Sequence, residues 1–324
     1  MSPAHDLMIR GAARNAGRGA AALALLAWCL VVVGALVRAH GAGLACPDWP
    51  LCFGQMVPEL DLLVGFEWGH RVMAASLSIA LVGLAAFVLR ARELRARFLA
   101  PLASVFGILG LQIVLGGLTV LLGLAPWTVT AHLLTGNAFV ISLVWLSRGL
   151  LEYAAAAPAP RIELPGSIVL LGAACAVLLV VQLGIGGLVS SNGAGLACAT
   201  FPLCNSDSLA PTLSGQVGLH VLHRLNGYAL CIAFAALAWR ARGSARIGRL
   251  ATAALAIVVL QVVVGIANVL LRLPLEITAL HSALATAIAI ATALVVREAL
   301  AARAVAQAAV DLPAPAGQVL EGAR

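Results

Sequence analysis

The chain contains no lysine; all 20 of its basic residues are arginine. Charge of either sign is scarce, at 10% of the residues, with 13 Asp and Glu in total. A soluble domain carries about 25% charged residues, so a water-soluble globule is excluded. The arginines lie between apolar runs, not along one stripe. That excludes a nucleic-acid face and leaves the missing lysine as a coding bias. What fills the chain is apolar: 62% of residues are hydrophobic and the mean hydropathy is +1.04. Only a bilayer solvates so much apolar surface.

Eight runs are long enough to cross the hydrocarbon core, which takes about 20 helical residues. They lie at 19–40, 66–90, 99–123, 128–150, 166–190, 217–239, 250–272 and 277–299, which predicts an all-α polytopic membrane protein. Arg10, Arg14 and Arg18 precede the first span. Arg90, Arg92, Arg95 and Arg97 follow the second, Arg148 and Arg161 flank the joint after the fourth, and Arg240, Arg242, Arg246 and Arg249 follow the sixth. Arg297, Arg303 and Arg324 end the chain, and only Arg38, Arg71, Arg224 and Arg272 lie on the other side. The positive-inside rule puts both termini in the cytoplasm of a multi-pass cell-membrane protein, with the loops after spans 1 and 5 outside. The basic start resembles a signal or transit peptide. The first apolar run is too long for a signal core, however, and residues 41–46 recur at 193–198, which a processing site would not do.

That recurrence is part of a duplication. Residues 41–52 read Gly-Ala-Gly-Leu-Ala-Cys-Pro-Asp-Trp-Pro-Leu-Cys, and 193–204 read Gly-Ala-Gly-Leu-Ala-Cys-Ala-Thr-Phe-Pro-Leu-Cys, an offset of 152 (198 − 46). His70-Arg71 and His223-Arg224 follow their loops, and Gln112, Gly116 and His132 match Gln261, Gly265 and His281 at an offset of 149 (281 − 132). Four spans per unit is an even number, so the two halves share one topology, as two four-helix bundles about a pseudo-twofold along the membrane normal. The organisation expected is a tail at 1–18, a repeat at 19–152, a Pro/Ala-rich linker at 153–165, a repeat at 166–300 and a disordered Ala/Pro-rich tail from 301 to 324.

The chemistry rests on histidine. His5 lies in the tail and is given no role; His40 ends span 1 as an interface residue. His70, His132, His223 and His281 each stand about four to six residues inside the outer end of an even-numbered span, which places two imidazole pairs at one depth. Ionisable side chains inside a membrane are costly and mark function. Two His on separate helices suit axial ligation of haem iron. Zinc wants third and fourth ligands, and only Glu67 and Glu276 are near. Arg71 and Arg224, each next to a His at the membrane boundary, suit the haem propionates. Gly34, the Gly116-Gly117 pair and the Gly184–Gly187 cluster read as close helix contacts, and Cys29, Cys175 and Cys231 as packing residues.

The paired Gly-x-Gly-Leu-x-Cys and Pro-Leu-Cys loops, the Glu-x-x-His-Arg of the first half and the four helix-borne His together resemble haem A synthase, over about residues 20–300. The resemblance implies an eight-helix duplicated bundle that converts the C8 methyl of haem O to the formyl of haem A for cytochrome oxidase assembly. It implies His70 and His132 on the iron of substrate haem O, and His223 and His281 on a cofactor haem b. Glu67, one turn before His70, then becomes the catalytic carboxylate that takes a proton or stabilises charge; its bland role is an ion pair with Arg71. The second half has His220 in that place (67 + 153), a relic of duplication and a candidate partner for a propionate. The resemblance further implies disulfides Cys46–Cys52 and Cys198–Cys204. A structural role is preferred for the second, and both a structural and a redox role stay open for the first. Candidate partners are haem O, the lipid bilayer, haem O synthase, an electron donor and a second copy of the chain. The alternative activity is a dihaem cytochrome passing electrons between quinol and an outer acceptor. A transporter of parallel repeats would need polar groups near the midplane, whereas these histidines sit near one face.

Overall fold

The computed structural model describes residues 2–156, 165–205 and 213–310, with side chains to 302. Among them are eight α-helices, each long and apolar enough to cross a membrane: α1 Pro3–Ala39, α2 Leu62–Arg90, α3 Arg92–Leu121, α4 Pro126–Ala155, α5 Gly166–Ser191, α6 Gly215–Ala241, α7 Ala245–Leu270 and α8 Leu275–Val310. The chain is a multi-pass, all-helical membrane protein, as its apolar runs predicted. A helix satisfies every backbone group internally, which lipid demands.

Each half closes a ring of four helices. In the first, α1 packs on α2 and α4, and α3 packs on α2 and α4; in the second, α5 packs on α6 and α8, and α7 on α6 and α8. Each ring has its own core, built on Leu77, Leu81, Leu143 and Leu150 in the first and on Phe234, Leu237, Ile247 and Ile288 in the second. The buried Ala13, Ala16, Ala20, Ala24 and Ala27 of α1 let α4 approach closely, and Ser147 donates to the Gly17 carbonyl at 2.8 Å. Small residues are the usual device for close helix contact in lipid.

The halves join through α1, α4, α5 and α8. Trp28 Nε1 donates to Ala283 O at 3.0 Å and Trp145 Nε1 to Ala293 O at 3.2 Å. Arg38 donates to the Ser190 hydroxyl at 2.8 Å, 152 residues away, so it meets the residue at its own repeat position.

Two ends differ from expectation. The tail expected at 1–18 is helical from Pro3. Ser2 caps the helix by accepting from His5 N–H, Asp6 pairs with Arg10 at 2.7 Å, and the His5 ring reaches Glu93 of α3 at 3.1 Å. His5 thus makes a contact that position in a tail did not suggest. The segment after Arg303, expected to be disordered, continues α8 to Val310; its Ala-rich sequence has no Gly or Pro before Pro313 to break a helix. Of the linker, residues 153–155 complete α4, while 157–164, like 206–212 and 311–324, lie outside the described residues.

Candidate functional site

All four histidines lie near the ends of their helices that face the Cys loops. His70 on α2 and His132 on α4 sit on diagonal helices of the first ring; His223 on α6 and His281 on α8 do the same in the second. Opposite each ring stands a glycine of the preceding helix. A Cβ built on Gly34, Gly116, Gly186 or Gly265 would fall 3.1, 3.0, 3.1 or 3.2 Å from Cε1 of His70, His132, His223 or His281 respectively. These glycines keep the repeat offsets, 152 for Gly34 and Gly186 and 149 for Gly116 and Gly265. Any larger residue would push the imidazole, so the cradle holds each ring by leaving it room.

The second pair faces across its bundle with ring centroids 6.4 Å apart and planes at 55°. An axial pair on one ion places its rings about 6 Å apart, from two metal–nitrogen bonds of about 2 Å and two ring radii of about 1 Å. Nδ1 of His70, His132 and His281 is enclosed without a hydrogen-bond partner. Such an orphan costs about 1–3 kcal/mol and suits a ligand-binding ring better than a packing one. Among the described residues no group of three His, Cys, Asp or Glu is placed to hold a metal ion. A porphyrin brings four equatorial donors and needs only two axial ones, so the residues present fit haem.

Glutamines reach three of the four histidines, two at the ring and one at the backbone carbonyl. Gln112 Nε2 lies 3.3 Å from His132 Nε2; Gln182 Nε2 lies 3.2 Å from His223 Nδ1; Gln261 Nε2 donates to His281 O at 3.0 Å. Each precedes its cradle glycine by four residues, one helical turn, and Leu30 takes that place before Gly34. Sequence reasoning treated Gly34, Gly116 and Gly186 as generic packing, met Gly265 only as the repeat mate of Gly116, and passed over Gln182. The recurring Gln-x-x-x-Gly was the signal available.

Above the rings lie the Cys loops. Cys46–Cys52 and Cys198–Cys204 are joined as disulfides, with Cα–Cα distances of 4.7 and 4.6 Å. Leu124 and Leu273, in the short turns before α4 and α8, press on Gly43 and Gly195 of these loops, where a Cβ would meet them at 3.3 and 3.0 Å. The Trp49 ring covers Gly117, 3.1 Å from a Cβ built there.

Arg71 and Arg224 clasp the loops from below. Arg71 donates to the carbonyls of Asp48 at 2.7 Å, Leu51 at 2.5 Å and Cys46 at 3.3 Å, and to Glu67 at 2.5 Å. Arg224 donates through Nη2 to the equivalent carbonyls of Cys198 at 2.8 Å and Thr200 at 3.0 Å. Sequence alone offered propionates for these guanidiniums and did not foresee the clasp. Glu67 is buried, at 4% exposure. Its Oε1 pairs with Arg71 while Oε2 accepts the Cys46 N–H at 3.1 Å. His220, also buried, donates from Nδ1 to Ala194 O at 2.9 Å. Both residues tie helix to loop, Glu67 as an acceptor and His220 as a donor. Outside the membrane, the Gly54 and then the Phe53 backbone N–H groups, with Arg71 nearby, hold the Asp48 carboxyl below its usual range.

This geometry has relatives. The family model described as "Cytochrome oxidase assembly protein" (COX15-CtaA) matches residues 19–62 and 64–293. The chain belongs to this family. The match to the cytochrome oxidase assembly family spans both bundles and takes in every candidate ligand, clasp and cysteine named above. Among similar proteins, "Heme A synthase" of Symbiobacterium thermophilum is 32% identical over 79% of this chain and 86% of its own length. "Heme A synthase" of Methylobacterium nodulans is 29% identical over 87% and 91%. That of Shewanella oneidensis is 29% identical over 78% and 87%.

Proposed function

We propose that the chain is a haem A synthase, oxidising the C8 methyl of haem O to the formyl of haem A for cytochrome oxidase assembly. It would work in the cell membrane with both termini cytoplasmic and both Cys loops outside. The observation that carries this reading is an asymmetry inside a duplicated frame: four imidazoles in glycine cradles, with a buried carboxylate, Glu67, beside one pair alone. Membership of the family and the printed name of its relatives support it.

In this reading His70 and His132 hold the iron of the substrate haem O. His223 and His281 hold a resident haem b, which when bound supplies one-electron chemistry. Glu67 stands one turn from His70, fixed by Arg71 and by the Cys46 N–H. A carboxylate has about four lone-pair sites, so two contacts leave capacity to accept a proton from the C8 substituent. The first Cys loop, drawn down by Arg71, keeps water from that carboxylate. In the second half Arg224 uses Nη2 for both loop carbonyls, and its remaining donors, with His220, serve the haem b propionates. Haem O synthase and an electron donor are the expected partners.

The equal cradles in both halves also suit a dihaem cytochrome working between quinol and an outer acceptor. One experiment separates the two: haems extracted from detergent-purified protein, and from cells that also make haem O, are resolved by chromatography. A synthase retains haem b and yields haem A. A chain that carries two haem b and yields no haem A is the cytochrome.

A further inference from the structure

Far from the histidines, toward the membrane face opposite the Cys loops, three arginines meet two glutamates where the halves join. Arg297 pairs with both oxygens of Glu152, at 2.7 and 2.6 Å, and Arg246 pairs with Glu298 at 2.7 Å. Arg148 is the cation left over. It touches Glu152 only at 3.5 Å, and its Nε is enclosed with no partner. Among the described residues the cluster therefore sets three arginines against two glutamates, one positive charge in excess. Arg148 also lies at one end of a groove of about 380 Å³, whose other walls include Ala21, Ala24, Trp28, Leu151 and Ile290. From Ala21 to Trp28 the groove follows α1 for about 10 Å, from the level of Arg148 toward the middle of the membrane. It is almost wholly apolar, with Arg148 among its walls toward that membrane face. Arg148 stands seven residues before the end of α4, or about 10 Å of helix, near the depth at which lipid headgroups begin.

We propose that this groove binds one anionic phospholipid of the leaflet opposite the Cys loops, with its phosphate on Arg148 and an acyl chain along α1 toward Trp28. The bound lipid closes the seam between the two bundles and supplies the negative charge that the cluster lacks. The proposal does not depend on the haem reading, because no haem-site residue takes part.

The test is native mass spectrometry of the purified full-length chain with added dioleoyl phosphatidylglycerol or dioleoyl phosphatidylcholine. The unaltered chain should retain one phosphatidylglycerol about fivefold more strongly than phosphatidylcholine, the preference expected of one basic side chain near the headgroup. Arg148→Gln should abolish the preference. Ala21→Phe fills the groove from an exposed position without touching the core or the charge, and should lower retention of both lipids. Equal retention of the two lipids by the unaltered chain would assign the groove to an uncharged chain and overturn the proposal. So would normal phosphatidylglycerol binding in both variants, or a lipid-resistant dimer that Ala21→Phe breaks, which would put a second copy in the groove.

Discussion

The two halves hold their Cys loops with the same hand and differ in what stands beside it. Arg71 and Arg224 reach equivalent carbonyls, those of Cys46 and Asp48 in one half and of Cys198 and Thr200 in the other. All four imidazoles meet a glycine at nearly one distance. What is shared by both copies is therefore scaffold. What is unshared is chemistry: Glu67 against His220, Leu30 against Gln182, and Asp48 against Thr200, the second loop being braced instead by Asn205, at the place of Phe53, whose side chain bonds Ala199 N–H and Ala197 O. On the proposed reading, duplication built a frame for two macrocycles, and divergence put an acid at one of them.

The largest test of that comparison is topological. If the halves are parallel copies, reporters inserted in either Cys loop should both be active only as external reporters, and one after Arg303 only as a cytoplasmic one. Opposite behaviour of the two loops would break the comparison at its root.

Next comes ligation. His223→Ala or His281→Ala should remove the low-spin haem b spectrum of the purified protein, while His70→Ala should keep it and stop haem A formation. A normal low-spin spectrum in both second-half variants would remove these residues from the iron.

Glu67→Gln sharpens the contrast between acid and base. It keeps the shape and one of the two bonds that Glu67 accepts from Arg71 and the Cys46 N–H, and losing a general base costs about 10²–10⁴-fold in rate, so haem should stay bound while haem A falls by that factor. His220→Gln should act far less. Haem A at the unaltered level from Glu67→Gln would reduce the residue to a brace for Arg71.

The cradles predict a smaller effect. Gly186→Ala and Gly265→Ala would set a Cβ within 3.1 and 3.2 Å of the ligand rings, and overpacking costs about 1–3 kcal/mol. Haem should dissociate faster from these variants than from Gly184→Ala, which meets nothing within 4 Å. Equal haem retention in all three would show that the rings have room to spare.

The smallest effect concerns the loops and pH. The Asp48 carboxyl is held below its ordinary value of 3.8 in the folded chain. Its support of the first loop is complete above that value and is lost as pH falls through the lower, folded one. Asn205 has no charge to lose. Hydrogen exchange corrected for intrinsic rate should therefore rise below pH 3.8 over 46–54 and not over 198–205, and Asp48→Asn should remove the difference.

The eight spans, the duplication and the family were legible in the chain because each is written locally: apolar runs set helices in lipid, and copied motifs remain copied wherever they fold. The ends were less legible. The helical start at Pro3 has local signals in the Ser2 cap and the first-turn Asp6, but its contact from His5 to Glu93 joins residues 88 positions apart. The candidate site residues could be picked out as well, since an ionisable side chain inside a membrane is costly. Their partners could not. Lipid-facing and helix-facing sides of these spans are equally apolar, so sequence leaves the rotation of each helix open. Only the packed bundle brings Gly34 under His70, aims Arg71 at the carbonyls of the Cys46–Cys52 loop and leaves Arg148 without a full partner. Those contacts rest on register between helices, and register is decided by close packing in three dimensions.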